Sequence, residues 1–127
     1  MTIAEYLAAV KSRLLIDPII ADFQVTRERS TLTDGYLRTR LTLLDNGFLE
    51  FSEYVQRTTD GQINVVTYSY HWADAAGNLV CRWDNVPHFP NLPNFPHHIH
   101  NGQTGEVSAG QAVDIFKILD EIANALL

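Results

Sequence analysis

The alternation of apolar and polar residues along the middle of the chain predicts a series of β-strands. In residues 36–44, leucine or threonine at every second position alternates with tyrosine, arginine or threonine, the period of a strand with one buried face. Residues 21–29, 48–57, 63–72 and 78–84 are further strand candidates. Short turn sequences separate all five segments, and Asn46-Gly47 is a hairpin signal. Because such short turns join antiparallel neighbours, we predict a meander of about five strands.

The apolar spacing changes to a helical period at both ends of the chain. Thr2 and Glu5 form a capping-box pattern before an apolar stripe that ends near Pro18. Ser108 is placed to cap a second helix with a broad apolar face. The sequence therefore predicts one α+β domain over residues 1–127, with an antiparallel meander flanked by an N-terminal and a C-terminal helix.

Residues 85–105 have no period and are rich in proline and histidine. We predict a long loop here, and a loop of about 20 residues within a small domain is usually functional. All five histidines, both tryptophans and the only cysteine lie between Tyr68 and His100. The chemistry of the chain is therefore expected in this stretch.

Composition narrows the class of protein. The chain is 46% hydrophobic, has one cysteine and contains no apolar run of the length needed for a membrane helix, so we expect a soluble, cytoplasmic protein. Its net charge of −6 is unlike that of a typical nucleic-acid binder. Six arginines nevertheless lie in the predicted strands: Arg27, Arg29, Arg38, Arg40, Arg57 and Arg82. A local basic face and an acidic body that docks on a basic partner both remain open.

The hairpin of residues 68–84 allows two registers. With Ala75 and Ala76 as a two-residue loop, Tyr68 faces Trp83, and polar and apolar side chains separate onto opposite faces. With a type I turn and a left-handed Gly77, His71 faces Cys81 instead. The turn residues favour the second register and the separation of polar side chains favours the first. We favour the first, which places His71, Arg82 and Asp84 in one polar patch with His88 close behind.

Histidine can both accept and donate a proton near neutral pH, and the planar guanidinium of arginine suits a phosphate. One histidine as base, another as acid and Arg82 on the developing charge would suit phosphodiester cleavage without a metal. The structural alternative is that Arg82 and Asp84 form a salt bridge and that His71 is an ordinary hydrogen-bonded side chain.

A metal site is the second chemical interpretation. In an extended segment His98 and His100 point the same way, and Asp84 or His88 could supply a third ligand. No other metal-binding framework accompanies the pair, so we predict that the protein needs no metal or other cofactor. Cys81 is expected to be a structural thiol, because a nucleophile needs a lowered pKa and a partner base.

The motif block resembles a known family. Its residues are His71-Trp72, Asp74, Gly77, Arg82-Trp83-Asp84-Asn85, Pro87-His88, Pro90 and Phe95-Pro96-His97-His98-x-His100. This block is similar to that of the TumE-like family, the toxin half of type II toxin–antitoxin modules, in which the partner is a helix-turn-helix antitoxin. The resemblance implies a toxin role and a site among the motif residues His71, Arg82, Asp84, His88, His97, His98 and His100. Phe89 stands where the family is expected to have a second histidine.

Three hypotheses follow from these patterns. The first is a toxin that acts as a metal-independent ribonuclease on RNA. The second is a non-enzymatic interaction module that binds a basic DNA-binding partner, and the third is a metal- or ligand-binding domain organised by His98 and His100. Homo-oligomer formation is left open by the sequence.

Overall fold

Seven antiparallel strands and two helices form the protein in its computed structural model, which describes residues 1–127. In chain order the elements are α1 (Ile3–Ile16), β1 (Ile20–Ser30), β2 (Asp34–Leu43), β3 (Phe48–Arg57), β4 (Ile63–Ala73), β5 (Leu79–Asp84), β6 (His98–Asn101), β7 (Val107–Ala109) and α2 (Ile115–Leu126). The strands pair in chain order in one open sheet. The α+β class is confirmed.

The strand count of about five was too low. The two additional strands, β6 and β7, lie at the C-terminal end of the sheet. Residues 98–101 fall within the predicted long loop of residues 85–105 but form strand β6. β6 is only four residues long and follows a proline-rich segment, so its alternating pattern is too short to be recognised without its partner β5.

The two helices begin at different kinds of cap. At α1 the Thr2 hydroxyl accepts from the Glu5 backbone N–H at 3.0 Å, and the Glu5 carboxylate accepts from the Thr2 N–H at 2.9 Å. This is the predicted capping box. The predicted cap of the second helix was wrong: Asp114 accepts from the Lys117 N–H at 3.0 Å, whereas Ser108 lies in β7 and pairs with β6.

Both helices contribute to the core on one face of the sheet. The core contains the apolar stripes of α1 and α2 and the alternate residues of β2 to β5, including Leu37, Leu41, Leu49, Phe51, Tyr70 and Trp83. The intervening strand residues face the other way and are mostly polar. The sheet therefore has an inner face against the helices and an outer, polar face. Neither helix is long and apolar enough to cross a membrane.

The β4–β5 hairpin combines features of both predicted registers. Next to the turn Ala73 pairs with Leu79, and Gly77 has a left-handed φ of 87°, as the turn residues indicated. One residue further on, Trp72 pairs with Cys81, which leaves Val80 as an extra residue in β5. Both predicted registers were therefore wrong in detail.

The bulge nevertheless places the side chains of Arg82 and Asp84 on the same face as His71, as the favoured register predicted. Beyond Val80, His71 pairs with Arg82 and Ser69 pairs with Asp84. These four side chains lie on the outer face, because residues paired across two strands project to the same side.

A buried carboxylate joins the sheet to both helices. Glu53 of β3 is 1% exposed. Its carboxylate accepts hydrogen bonds from the Tyr6 hydroxyl of α1 at 2.6 Å, the Tyr70 hydroxyl of β4 at 2.6 Å and the Ile115 N–H of α2 at 2.8 Å. Burial raises the pKa of Glu53, and the three hydrogen bonds oppose that rise. Glu53 thus satisfies three polar groups inside an otherwise apolar core.

We expect Glu53→Ala to lower the free energy of unfolding by about 3–5 kcal/mol, because it leaves three buried donors without an acceptor. Glu53→Gln keeps the volume and one acceptor oxygen and should cost less. Since the folded state raises the pKa of Glu53, its stabilising contribution is largest at low pH and is lost as pH rises through that pKa. The stability gap between the wild type and Glu53→Gln should therefore narrow with rising pH. Urea unfolding of the three proteins across pH tests this, and a loss under about 1 kcal/mol in Glu53→Ala would contradict it.

Candidate active site

Two rows of side chains cross the outer face of the sheet. Backbone pairing aligns the first row through Arg40, Glu50, His71, Arg82 and His100. The second row runs through Arg38, Ser52, Ser69, Asp84 and His98. Five strands thus place ten side chains on one surface, and direct cross-strand neighbours are close enough to interact.

Asp84 is the hub of the β5–β6 side of this face. Its side chain is only 4% exposed. Oδ2 accepts a hydrogen bond from Arg82 Nε at 3.0 Å, and Oδ1 accepts from the Val86 backbone N–H at 3.1 Å. His98 Nε2 lies 2.9 Å from Oδ1, and His100 Nε2 lies 3.6 Å from Oδ2. One carboxylate therefore orients an arginine and two histidines.

The buried ring of His98 is fixed on both sides. Nδ1 lies 2.9 Å from the Pro96 carbonyl oxygen, which can only accept, so Nδ1 carries a proton. Nε2 faces the Asp84 carboxylate, which also accepts. A favourable contact there requires a second proton or another cation. Phe89 packs its ring against His98 with a centroid distance of 4.8 Å and so helps to cover the pair.

Arg82 lies between two histidines in the first row. Its Nη1 is 3.3 Å from His71 Nδ1, and because a guanidinium only donates, that nitrogen of His71 accepts. Burial lowers the pKa of His71, the charge of Arg82 lowers it further, and Glu50 acts in the opposite direction. Burial also lowers the pKa of His100, against the pull of Asp84. Burial thus favours the neutral imidazole on both sides of Arg82, and a neighbouring carboxylate on each side favours the protonated form.

The β2–β3 side of the face is an open pocket of about 390 Å³ that reaches His71 and Arg82. Arg38 and Arg40 both bind the Glu50 carboxylate, Arg40 at 3.4 Å, and hydrogen bonding by Arg38 lowers the pKa of Glu50. The Arg40 guanidinium also lies over the Phe48 ring, 4.0 Å from its centroid. The remaining lining residues are Phe51, Ser52 and Ser69. The pocket offers cationic donors, hydroxyls and an aromatic ring.

The structure brings together five of the seven predicted site residues: His71, Arg82, Asp84, His98 and His100. His88 is exposed in the loop that follows β5 and lies beside Phe89, at the border of this group. His97 belongs elsewhere. It stacks on Tyr68, whose hydroxyl is 2.8 Å from His97 Nδ1. Because His97 directly precedes His98 and neighbouring residues in an extended segment point to opposite faces, His97 lies away from the outer face.

Sequence reasoning missed the β2–β3 part of the face as a component of the site. Arg38 and Arg40 were recognised only as part of a basic strand, and Glu50, Ser52 and Phe48 were not singled out. The available signal was the Asn46-Gly47 hairpin: following its pairing across β3 to β4 aligns Arg40 and Glu50 with His71.

Cys81 lies on the inner face, partly buried, and burial raises its pKa to about 11. A thiol with a raised pKa is a poor nucleophile, which supports the predicted structural role. Trp72 and Trp83 stack on each other on the same face, with ring centroids 6.5 Å apart, and Trp83 is part of the core.

The fold and site define an α+β protein with a histidine- and arginine-bearing sheet face opposite its helices. The family model described as Toxin TumE matches residues 8–126, nearly the whole chain. The chain therefore belongs to the TumE toxin family and has a toxin role. Comparison with curated proteins and with solved structures gave no match.

We expect Asp84→Ala to reduce the free energy of unfolding by about 3–5 kcal/mol, since it leaves a buried histidine and a partly buried arginine without their carboxylate. Glu50→Ala is the matched control, because it removes a carboxylate that also binds arginine on the same face. The Glu50 side chain is 32% exposed against 4% for Asp84, so its loss should cost at most about 1 kcal/mol. Chemical denaturation of both variants measures the difference; equal losses would show that burial of Asp84 is not the deciding factor.

Proposed function

We propose that this toxin is a metal-independent ribonuclease whose active site is the outer face of the sheet, and that a helix-turn-helix antitoxin neutralises it. The observation that carries the proposal is the row His71–Arg82–His100. The two histidines come from strands that flank β5, so their backbones are roughly 10 Å apart. A phosphate on Arg82 would lie between a potential proton acceptor and a potential proton donor.

The proposed reaction is transfer of an RNA phosphodiester to its own 2′-hydroxyl. A phosphate bound by Arg82 would replace the long Arg82–His71 hydrogen bond and free Nδ1 of His71. That nitrogen accepts the 2′-hydroxyl proton while the 2′-oxygen attacks phosphorus. His100, in the protonated form that the charge of Asp84 favours, gives a proton to the departing 5′-oxygen. Arg82 stabilises the charge that develops on the phosphoryl oxygens. The products are a 2′,3′-cyclic phosphate and a free 5′-hydroxyl.

The charge distribution supports an anionic substrate at this face despite the net charge of −6. Three arginines project from the outer face, Arg38, Arg40 and Arg82, and two carboxylates balance them only in part. Ser52 and Ser69 add hydroxyls to the same pocket. A backbone phosphate on either side of the cleaved bond could therefore find a partner without a basic surplus over the whole protein.

The overall charge of the chain supports the proposed antitoxin contact. The net charge is −6, whereas a DNA-binding partner carries basic surface. A net acidic protein attracts such a surface electrostatically.

We expect Arg82→Ala and His71→Ala each to abolish growth arrest when the toxin is expressed without its antitoxin. In a purified assay on single-stranded RNA, each should lower kcat/KM by at least about 100-fold. His97→Ala is the control: His97 lies off the outer face, so this variant should cleave RNA as the wild type does.

Co-expression with the product of the adjacent reading frame should restore growth of cells that carry the wild type. Growth arrest that persists in both variants, or a toxic wild type that cleaves no RNA, would replace this proposal with a non-enzymatic interaction module.

The pH profile provides an independent test of His71 as the base. The base must be neutral, so kcat/KM falls as pH drops through the pKa of His71. Because burial and Arg82 lower that pKa, activity should persist below the ordinary histidine value of about 6.5. The charge of Glu50 raises the pKa of His71, so Glu50→Gln should move the acidic limb to lower pH. An acidic limb that does not move in Glu50→Gln would count against His71 as the titrating base.

A further inference from the structure

We propose that Asp84, His98 and His100 form a binding site for one divalent transition-metal ion, with Zn²⁺ as the probe. One potential ligand atom from each residue lies within 4.8 Å of the other two. The ligands come from adjacent, directly paired strands, since Asp84 of β5 is opposite His98 of β6. His100 follows two residues after His98, so both imidazoles are on the outer face.

The distances are close to those of a coordination site. His98 Nε2 is 2.9 Å from Asp84 Oδ1, and His100 Nε2 is 3.6 Å from Asp84 Oδ2. Two ligand atoms that each lie about 2.1 Å from a metal are about 3.0 Å apart at a right angle and about 3.4 Å apart in a tetrahedron. Each imidazole nitrogen is therefore already near the required distance from a carboxylate oxygen.

The groups around the three ligands hold them as an outer coordination shell does. The Pro96 carbonyl accepts from His98 Nδ1, which leaves Nε2 as the ligand nitrogen, the usual arrangement for a metal-bound histidine. Arg82 Nε and the Val86 N–H bind the two oxygens of Asp84. The Phe89 ring packs against both imidazoles, with centroid distances of 4.8 Å to His98 and 5.8 Å to His100.

The chemistry of the three ligands indicates which class of metal ion the site would bind. Two imidazoles and one carboxylate suit Zn²⁺ and neighbouring transition metals better than Mg²⁺ or Ca²⁺, which prefer oxygen ligands. A divalent cation is also one of two ways, the other being a second proton on His98, to make the contact between His98 Nε2 and Asp84 favourable. Three protein ligands leave at least one coordination position for water or a phosphate oxygen.

Metal binding and the proposed acid–base reaction would compete for His100. An imidazole whose Nε2 binds a metal cannot give a proton from that atom to a leaving oxygen. Bound metal should therefore inhibit the metal-independent cleavage, and this second part of the inference rests on the proposed function. The site itself does not, because binding can be measured without RNA.

The test begins with untagged protein that has been treated with a chelator and dialysed. Calorimetric titration with Zn²⁺ should give one ion per chain, and titration with Co²⁺ should give visible absorption bands from a nitrogen- and oxygen-ligated ion. His100→Gln should weaken Zn²⁺ binding at least about 100-fold, by more than is usual for the loss of an outer-shell contact. His98→Gln is a second variant, with circular dichroism as the check of its fold. His97→Gln and His88→Gln are matched controls that remove neighbouring histidines and should bind as the wild type does.

Absence of saturable binding, or full binding by His100→Gln, would overturn the site. Loss of binding in His97→Gln or His88→Gln would place the ion elsewhere and also overturn the proposed site.

The RNA assay then separates the metal site from the proposed ribonuclease activity. Zn²⁺-inhibited cleavage supports both parts, whereas cleavage that requires Zn²⁺ retains the site and overturns its inhibitory role. Stoichiometric Zn²⁺ binding without any cleavage confirms the site and contradicts only the proposed ribonuclease.

Discussion

The outer face depends on one irregularity in the sheet, the extra residue Val80 in β5. Without it, the pairing set at the turn would continue and would turn Arg82 and Asp84 toward the helices. Two charged side chains in that apolar layer would be strongly unfavourable. Gly102 holds the bulge in place: its N–H donates to the Val80 carbonyl at 3.0 Å, and a Cβ there would lie only 1.7 Å from the Leu79 carbonyl oxygen. Only glycine allows this approach of β6 to β5.

Two buried carboxylates then fix the elements on either side of the sheet. Glu53 connects both helices to the inner face through two tyrosine hydroxyls and a backbone N–H, while Asp84 organises the outer face through Arg82 and His98. Because each is almost fully buried, each constrains its partners far more than the exposed ion pairs of Glu50 do. The inner carboxylate serves the fold, and the outer one holds the groups to which we assign chemistry.

Elements specified by local sequence patterns could be predicted, whereas features that depend on contacts between distant parts of the chain could not. The five long strands and the α1 cap were readable because alternation and capping are local patterns. The register of β4 and β5 was not, since the turn residues and the polar–apolar separation indicated different pairings and only a bulge satisfies both. β6 was missed for a related reason: its four residues form a strand by pairing with β5. His98 and His100 were correctly expected on one side, but the row that includes Arg40 and Glu50 required pairing across the whole sheet.

His100 has a part in both roles proposed for this site, proton transfer and metal binding. Its ring is 30% exposed, so it can reach a substrate, yet Asp84 and Phe89 hold it beside buried His98. Phe89 occupies the position where a second histidine was expected from the family resemblance, and it adds an apolar cover instead of another titrating group. The apolar ring of Phe89 lowers the local dielectric constant. This strengthens the attraction of the Asp84 carboxylate both for a protonated imidazole and for a bound metal ion. A metal bound to His100 Nε2 would prevent that atom from transferring a proton, so metal occupancy decides which of the two roles His100 has.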